Sequence, residues 1–298
     1  MLKQNKSGFK RLTDTRKKEI ADWVEIILED LPQKTAYTDC LHILERENIR
    51  LFRVNFQENL DGFILFEYQR FWIFLNTAQG REANESRINF TLAHELGHYY
   101  LPWHRLKLKR HGLMQQSGGQ DPGEMQLLER EADYFASCLL MPANSIKRDF
   151  AENVFSITFI QTIARRYRVS REACLMRYTE LGKHPMMMVY SKDGKVSLPA
   201  YPKRSKSFPF SRPMLDAEGR LPECCLASKN HCVSITEDYF IAHHTTALVF
   251  RLKEEQEVQQ TVTECCIPLV EKGLLLSIFY FEEYLEEDEK FEILDLPF

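Results

Sequence analysis

Apolar residues recur along the first part of the chain with the two spacings that separate helices from strands. Over residues 15–31 they lie three or four positions apart, which predicts an amphipathic helix ended by Pro32. A second helix is predicted over about 36–48, and the alternating segment 49–54 predicts a strand. Two runs of β-forming residues within 63–76 predict a hairpin. Its edge could hold a peptide in extended form, or the hairpin could only cover the core.

The next apolar segment, residues 90–101, contains the pattern His-Glu-x-x-His. Its apolar residues have helical spacing, so a buried helix is predicted. His94 and His98 then lie one turn apart on the same face, where both imidazoles can reach one cation. Glu95 follows the first histidine, where a carboxylate can act on an activated water molecule. This arrangement is typical of a zinc peptidase.

A second helix with acidic residues is predicted downstream, over residues 127–142. Glu129 and Asp133 lie one turn apart beside its apolar face, where a carboxylate is costly unless it is paired or binds a metal. We therefore expect Glu129 to be the third metal ligand. Asp133 is expected to hold a histidine ligand in the right tautomer through its other ring nitrogen. Glu131 is expected to be solvated, with its use as a ligand in place of Glu129 as the alternative.

Residues 103–126 are polar and contain several glycines, which predicts a long loop that covers the proposed site as a mobile flap. His104 and His111 lie in this loop. Either histidine could stabilise an oxyanion, although a single histidine in a loop is usually only solvated.

Composition and charge place the chain among ordinary globular proteins. The net charge of −4 does not indicate a polyanion partner for the whole chain, and the basic first twenty residues and acidic last residues are expected to be solvated. The N-terminus lacks the apolar run of a secretory signal, and every apolar stretch is too short to span a bilayer, so a soluble, cytoplasmic protein is expected. The eight cysteines are expected to be reduced, with a second metal site near His231 and Cys232 as the alternative.

The second half of the chain changes character twice. Residues 159–178 predict a helix, a tight turn and a helix, with Ser170 as N-cap. Their arginines could contact DNA phosphates, but a helical pair that packs on the first domain is favoured because the chain is acidic overall. From about residue 185 strands are predicted, including 243–250 and 274–281. The basic, aromatic stretch 203–212 is interpreted as a loop, with single-stranded nucleic-acid binding as the alternative.

The segment from Phe90 to His98, followed by the segment from Glu129 to Pro142, resembles the ImmA/IrrE family of zinc-dependent metallo-endopeptidases. The joint match is specific, whereas either segment alone is only suggestive. Glu129 matches the family's metal glutamate, and Asp133 stands where the family has Asn or Asp. The resemblance covers about residues 15–182, and the stretch 103–126 is longer than usual in the family.

The resemblance implies an α+β chain of three parts. Residues 1–150 would form a zincin-like, mainly helical peptidase domain with a small sheet. Residues 151–184 would form a helix-turn-helix-like segment, and residues 185–298 an α+β sensor domain for which a GAF-like fold is the family precedent. Members of the family cleave helix-turn-helix repressors of the XRE type and so switch on stress-response or mobile-element genes.

The sequence therefore predicts a metal-dependent endopeptidase with an XRE-type repressor as its protein substrate. His94, His98 and Glu129 would hold Zn²⁺, or Mn²⁺, and Glu95 would act as the general base. The alternative is a non-proteolytic regulator that binds a repressor or DNA through residues 151–184 and keeps a structural metal. DNA binding is not favoured, no membrane contact is expected, and the oligomeric state stays open.

Overall fold

The computed structural model describes residues 12–31, 36–56, 60–78, 84–114, 122–197, 203–228, 239–250, 260–269 and 272–281. The chain forms two compact units. The first comprises Met1–Asp149 and Ser156–Arg177, and the second comprises Phe150–Phe155 and Tyr178–Phe298. Each unit contains helices together with a β-sheet, so the predicted α+β class is confirmed. The three-part domain boundaries and the zincin-like and GAF-like details stay predictions.

The elements up to α8 run in this order: α1 (Asp14–Glu29), α2 (Cys40–Arg46), β1 (Arg50–Val54), β2 (Gly62–Glu67), β3 (Arg70–Asn76), α3 (Glu85–Tyr100), α4 (Pro102–His111), α5 (Pro122–Leu140), α6 (Ala143–Ala151), α7 (Ile157–Arg166) and α8 (Arg171–Leu181). The predicted helix at 15–31 and the predicted hairpin at 63–76 are therefore present. The Thr13 side chain caps α1 by accepting a hydrogen bond from the Arg16 amide at 3.2 Å.

A small sheet of the first unit has the strand order β1-β3-β2. Strand β1 runs parallel to β3, whereas β2 and β3 are antiparallel. The turn between them, Tyr68-Gln69, has positive φ at both residues, which matches the right-handed twist of the flanking strands. The outer edge of β2 is already paired at one point, because the Phe66 amide donates to the Gly112 carbonyl at 2.8 Å. Leu65 also bridges Leu113, so part of the edge at which the sequence left a peptide-holding role open is already occupied.

The second unit contains β4 (Met186–Lys192), β5 (Lys195–Val196), β6 (Lys203–Arg204), a 3-10 helix (Leu226–Ser228), β7 (Phe240–Thr245), α9 (Thr246–Val249), β8 (Thr261–Leu269) and β9 (Leu274–Tyr280). Its sheet has the order β5-β4-β9-β8-β7, and β6 pairs with β4. The strand predicted at 243–250 is wrong beyond Thr245, where the chain turns into α9. Strand β8 was not predicted, because Glu264 and Pro268 interrupt its apolar pattern.

The core of the second unit explains the basic, aromatic stretch. Phe208 and Phe210 are 1% and 8% exposed and pack with Phe250 in one apolar cluster. Burial removes both rings of this stretch from nucleic-acid stacking. The loop interpretation of residues 203–212 therefore fits the structure better than the nucleic-acid alternative.

Several predictions concern residues that lie outside the described part of the chain. These are the charged residues before Leu12, the acidic residues after Phe281, Pro32, and the pair His231 and Cys232. Arg16, one of the basic residues expected to be solvated, is instead partly buried and pairs with Glu131 at 2.7 Å. Among the described residues, seven cysteines form no disulfide with one another, in line with the expectation of reduced thiols. None of the described helices combines the length and apolar composition needed to cross a membrane.

Candidate metal centre

Helix α3 carries the His-Glu-x-x-His pattern into the interior of the first unit. Asn84 caps the helix by accepting a hydrogen bond from the Arg87 amide at 3.1 Å. His94 and His98 lie one turn apart, as predicted, and their Nε2 atoms are 3.1 Å from each other. His98 is 2% exposed and Glu95 is 5% exposed, so the motif lies on a buried face.

Helix α5 packs against α3 at Gly97. A Cβ atom at this position would lie 3.2 Å from the Cα of Ala132 and 3.2 Å from the ring of Phe135, so the absence of a side chain permits the close approach. This packing brings the Glu129 carboxylate to both histidines. Its Oε2 is 3.2 Å from His94 Nε2, and its Oε1 is 3.7 Å from His98 Nε2.

The three predicted ligands therefore converge. One ligand atom from each of His94, His98 and Glu129 lies within 4.8 Å of the other two. Nitrogen and oxygen ligands of a tetrahedral zinc lie about 3.3 Å apart when their bonds to the metal are about 2.0 Å long. The observed separations of 3.1, 3.2 and 3.7 Å are close to this spacing. The donor set thus fits a divalent metal ion.

The Nδ1 atom of each histidine, which is not the proposed ligand atom, has a hydrogen-bond partner of its own. His94 Nδ1 lies 2.9 Å from Asp133 Oδ1. His98 Nδ1 lies 2.9 Å from His104 Nδ1, and His104 Nε2 lies 2.8 Å from Glu131 Oε2. Because carboxylates only accept, His94 donates from Nδ1, and His104 donates from Nε2 and accepts from His98. When both histidines are neutral, each presents a lone pair on Nε2 toward the Glu129 carboxylate. A metal ion at this point, or a proton on His94, supplies the positive charge that this arrangement favours.

The electrostatics of the pocket point the same way. Burial lowers the pKa of His94, but the hydrogen bonds with Asp133 and Glu129 outweigh it and raise the pKa to about 10. Burial, and then the charges of His94 and His104, hold the pKa of His98 well below its ordinary value. The site draws one positive charge to the point where the three side chains meet.

Glu95 lies beside this point rather than in it. Burial raises its pKa to about 7, the His94 charge lowers it, and the Glu129 carboxylate raises it again. It accepts a hydrogen bond from the backbone of Ile64 on β2, so the small sheet holds it in position. A carboxyl group with a pKa near neutrality can both take up and release a proton at physiological pH.

Two predictions around the site are wrong. Residues 103–111 form most of α4 instead of a loop, and His104 is fully buried while His111 is exposed at the helix end. Pro102 at the first position of α4 was the signal for this helix. The flap prediction therefore fails for these residues, and residues 115–121 of it lie outside the described part of the chain.

The second error concerns Glu131, which is 2% exposed and not solvated. It accepts hydrogen bonds from Arg16 Nε at 2.7 Å, Trp103 Nε1 at 2.6 Å and His104 Nε2 at 2.8 Å. Although burial raises its pKa, these three donors outweigh burial and lower the pKa to about 2. These donors occupy its carboxylate, and Glu129 is the carboxylate grouped with the two histidines, so the structure favours Glu129 over Glu131 as the third ligand.

The predicted helix pair α7–α8 is present, and the Ser170 side chain caps α8 by accepting from the Ala173 amide at 3.1 Å. Three arginines of this region have partners within the first unit. Arg166 pairs with Asp149 at 2.7 Å, and Arg168 pairs with Glu85 at 2.8 Å. The buried Arg177 donates to the Met141 carbonyl at 3.2 Å. These contacts favour the packing role over DNA binding.

Comparison with known proteins agrees with this geometry. Residues 44–179 match the family model Peptidase_M78, described as the IrrE N-terminal-like domain. This range includes all three predicted ligands, Glu95 and Asp133. No curated protein matches the chain.

Among solved structures, a Mycobacterium tuberculosis transcriptional regulator is similar in fold, with a TM-score of 0.52 over 90% of this chain and 77% of that chain. The two sequences are 12% identical, so the likeness concerns the fold alone. The family match confirms the resemblance seen in the two motif segments. The chain thus contains a domain, residues 44–179, that matches the IrrE N-terminal-like family.

Proposed function

We propose that the protein is a metal-dependent endopeptidase that acts in the cytoplasm on an XRE-type helix-turn-helix repressor. The observation that carries the proposal is the convergence of His94 Nε2, His98 Nε2 and Glu129 on one point, with the buried Glu95 beside it. The family match supports the peptidase class. The repressor as substrate, the derepression of stress-response or mobile-element genes, and a GAF-like sensor role for the second unit rest on the family resemblance.

The three side chains would hold Zn²⁺ or Mn²⁺. When bound, such an ion polarises a peptide carbonyl and lowers the pKa of water. The chain's own residues then have separate tasks. Asp133 and His104 keep the two imidazoles in the tautomer that presents Nε2. Glu95 takes a proton from the attacking water and passes it to the leaving amine nitrogen.

The direct test is incubation of the protein with the XRE-type repressor encoded beside it, in the presence of Zn²⁺ or Mn²⁺. We expect one discrete cut, located by mass spectrometry. Glu95→Gln should abolish the cut and keep the metal content of the wild-type protein, because the substitution removes the proton acceptor and leaves the three ligands in place. Cutting by Glu95→Gln at the wild-type rate would show that Glu95 is not the base.

The same incubation distinguishes the non-proteolytic alternative. A stable complex with uncut repressor, together with unchanged metal content, would support a regulator with a structural metal. The alternative also includes direct binding of DNA through residues 151–184, which a gel-shift assay of the protein with operator DNA alone tests. We expect no shift, because Arg166 and Arg168 pair with carboxylates of the first unit and Arg177 is buried.

A further inference from the structure

The second unit contains its own cluster of metal-binding side chains. Cys225 lies directly before the 3-10 helix, His244 lies on β7 and Glu264 lies on β8. One ligand atom from each of them lies within 4.8 Å of the other two. All three residues are buried, with exposed fractions of 0% for Cys225, 7% for His244 and 0% for Glu264. The family match ends before this region, at residue 179.

The Glu264 carboxylate is held firmly in place. It accepts hydrogen bonds from the Leu226 amide at 2.7 Å, from Ser277 Oγ at 2.7 Å and, more weakly, from the Ala227 amide at 3.5 Å. His244 Nε2 lies 2.9 Å from its Oε2. Carboxylates that bind metals are usually oriented by hydrogen bonds of this kind.

The surroundings of the cluster are apolar. Cys225 belongs to the same buried core as Phe250, Phe279 and Val262. A carboxylate in such surroundings is costly unless an opposite charge compensates it. The neutral donors around Glu264 do not supply such a charge, and a metal ion at the point where a sulfur, a nitrogen and an oxygen ligand meet would supply it.

We propose that Cys225, His244 and Glu264 bind a divalent transition metal ion that accepts thiolate ligands, of the Zn²⁺ class. A thiolate, a neutral imidazole and a carboxylate carry two negative charges, which a divalent ion cancels inside the core. Sulfur, nitrogen and oxygen are the ligand atoms that zinc takes in proteins, whereas Mg²⁺ and Ca²⁺ take oxygen alone. The ion would tie together the segment before the 3-10 helix, strand β7 and strand β8. This site is separate from the proposed peptidase centre and does not depend on its activity.

The competing explanation is a metal-free cluster. Burial, followed by the Glu264 charge, raises the pKa of the Cys225 thiol, so the thiol would stay protonated beside a histidine–carboxylate pair. The two explanations differ in one measurable respect. If the cluster binds a metal ion, the Cys225 thiolate bonds to that ion, whereas a metal-free cluster has no such bond. The candidate centre of the first unit cannot produce the same signal, because His94, His98 and Glu129 contain no sulfur.

Cobalt is the probe that separates the two sites. The full chain is freed of metal with a chelator and titrated with Co²⁺ while its near-ultraviolet spectrum is recorded. We expect a thiolate-to-cobalt charge-transfer band that saturates at one equivalent, and a second equivalent without such a band. The double variant His94→Ala, His98→Ala should keep the band and lose the other equivalent.

Cys225→Ser should remove the band and one equivalent of metal, and Glu264→Gln should weaken this Co²⁺ binding by at least about tenfold. Cys224→Ser is the matched control, since this neighbouring thiol is not one of the three ligands, and it should keep the band. Circular dichroism checks the fold of every variant. Absence of the band in the wild-type chain or in the double variant overturns the proposal. Neither protein carries a substitution in the core of the second unit, so a folding defect there cannot explain the result. A band that survives Cys225→Ser overturns it as well.

Discussion

The two histidines of the candidate metal centre have Nδ1 hydrogen-bond partners that differ in their exposure to solvent. His94 is held by Asp133, whose side chain is 55% exposed. His98 is held by His104, which is fully buried and in turn donates to the buried Glu131. Charges exposed to water contribute little to stability, whereas a buried charge is costly to leave unpaired. The exposed support can therefore serve the metal alone, and the buried support must also hold the fold.

The largest expected effect is a loss of stability when the buried support of His98, formed by His104 and Glu131, is disrupted. Glu131→Gln removes the charge that Arg16, Trp103 and His104 surround, and we expect a loss of about 3 kcal/mol in the free energy of unfolding. Denaturant unfolding of the metal-free protein measures it. Glu129→Gln is the control on the same helix, where a side chain that is 42% exposed should lose less than about 1 kcal/mol. Equal losses for the two variants would contradict the comparison.

The pH dependence of stability gives a second measurement of the same group. The folded-state pKa of Glu131, about 2, lies below its ordinary value of 4.5. Its contribution is therefore complete above about pH 4.5 and is lost as the pH falls toward 2, in total about 3 kcal/mol. Unfolding of the metal-free chain between pH 5 and pH 2 should show a decline that Glu131→Gln lacks. Parallel curves for the two proteins would show that other carboxylates cause the acid sensitivity.

For Asp133, the exposed partner of His94, we expect a substitution to affect metal binding rather than the stability of the fold. Asp133→Asn weakens the hold on His94 Nδ1, and we expect metal affinity to fall by about 10- to 100-fold. Unfolding of the metal-free protein should change by less than about 1 kcal/mol. Competition with a chromophoric chelator measures the affinity. A large loss of metal-free stability with unchanged affinity would reverse the roles assigned to the two supports.

The smallest effect is expected at the end of the buried chain of contacts. Arg16 pairs with Glu131 at 2.7 Å and lies over the Trp103 ring at 3.5 Å. Its side chain is 29% exposed, so water screens part of the interaction. Arg16→Gln should cost about 1 kcal/mol in unfolding free energy, clearly less than Glu131→Gln, and leave the metal content unchanged. A cost as large as that of Glu131→Gln would mean that Arg16, not the whole set of donors, stabilises the carboxylate.

The spacing of residues along the chain was sufficient to predict which candidate ligands share one face of the same helix. His94 and His98 are four residues apart, and so are Glu129 and Asp133, and the period of a helix places each pair on one face. The amphipathic helix α1 and the hairpin were equally readable, because their patterns are local. Trp23 was the exception in α1, since it shares the apolar spacing and yet is 38% exposed.

Contacts between distant elements were beyond the reach of the sequence. Arg16 and Glu131 are 115 residues apart, and nothing in the pattern near Glu131 separates a buried carboxylate from a solvated one. The same holds for Cys225, His244 and Glu264, which come from three separate segments with no common spacing.

The sequence by itself therefore determined the candidate metal-binding motif and most of the helices of the first unit, because these depend on the periodicity of one element at a time. Only the tertiary structure decided which histidine Asp133 supports, that His104 and Glu131 support the other one, and that a second ligand cluster exists. Such assignments depend on which faces pack together, and burial, which sets both the cost of a charge and the need to pair it, exists only once they have packed.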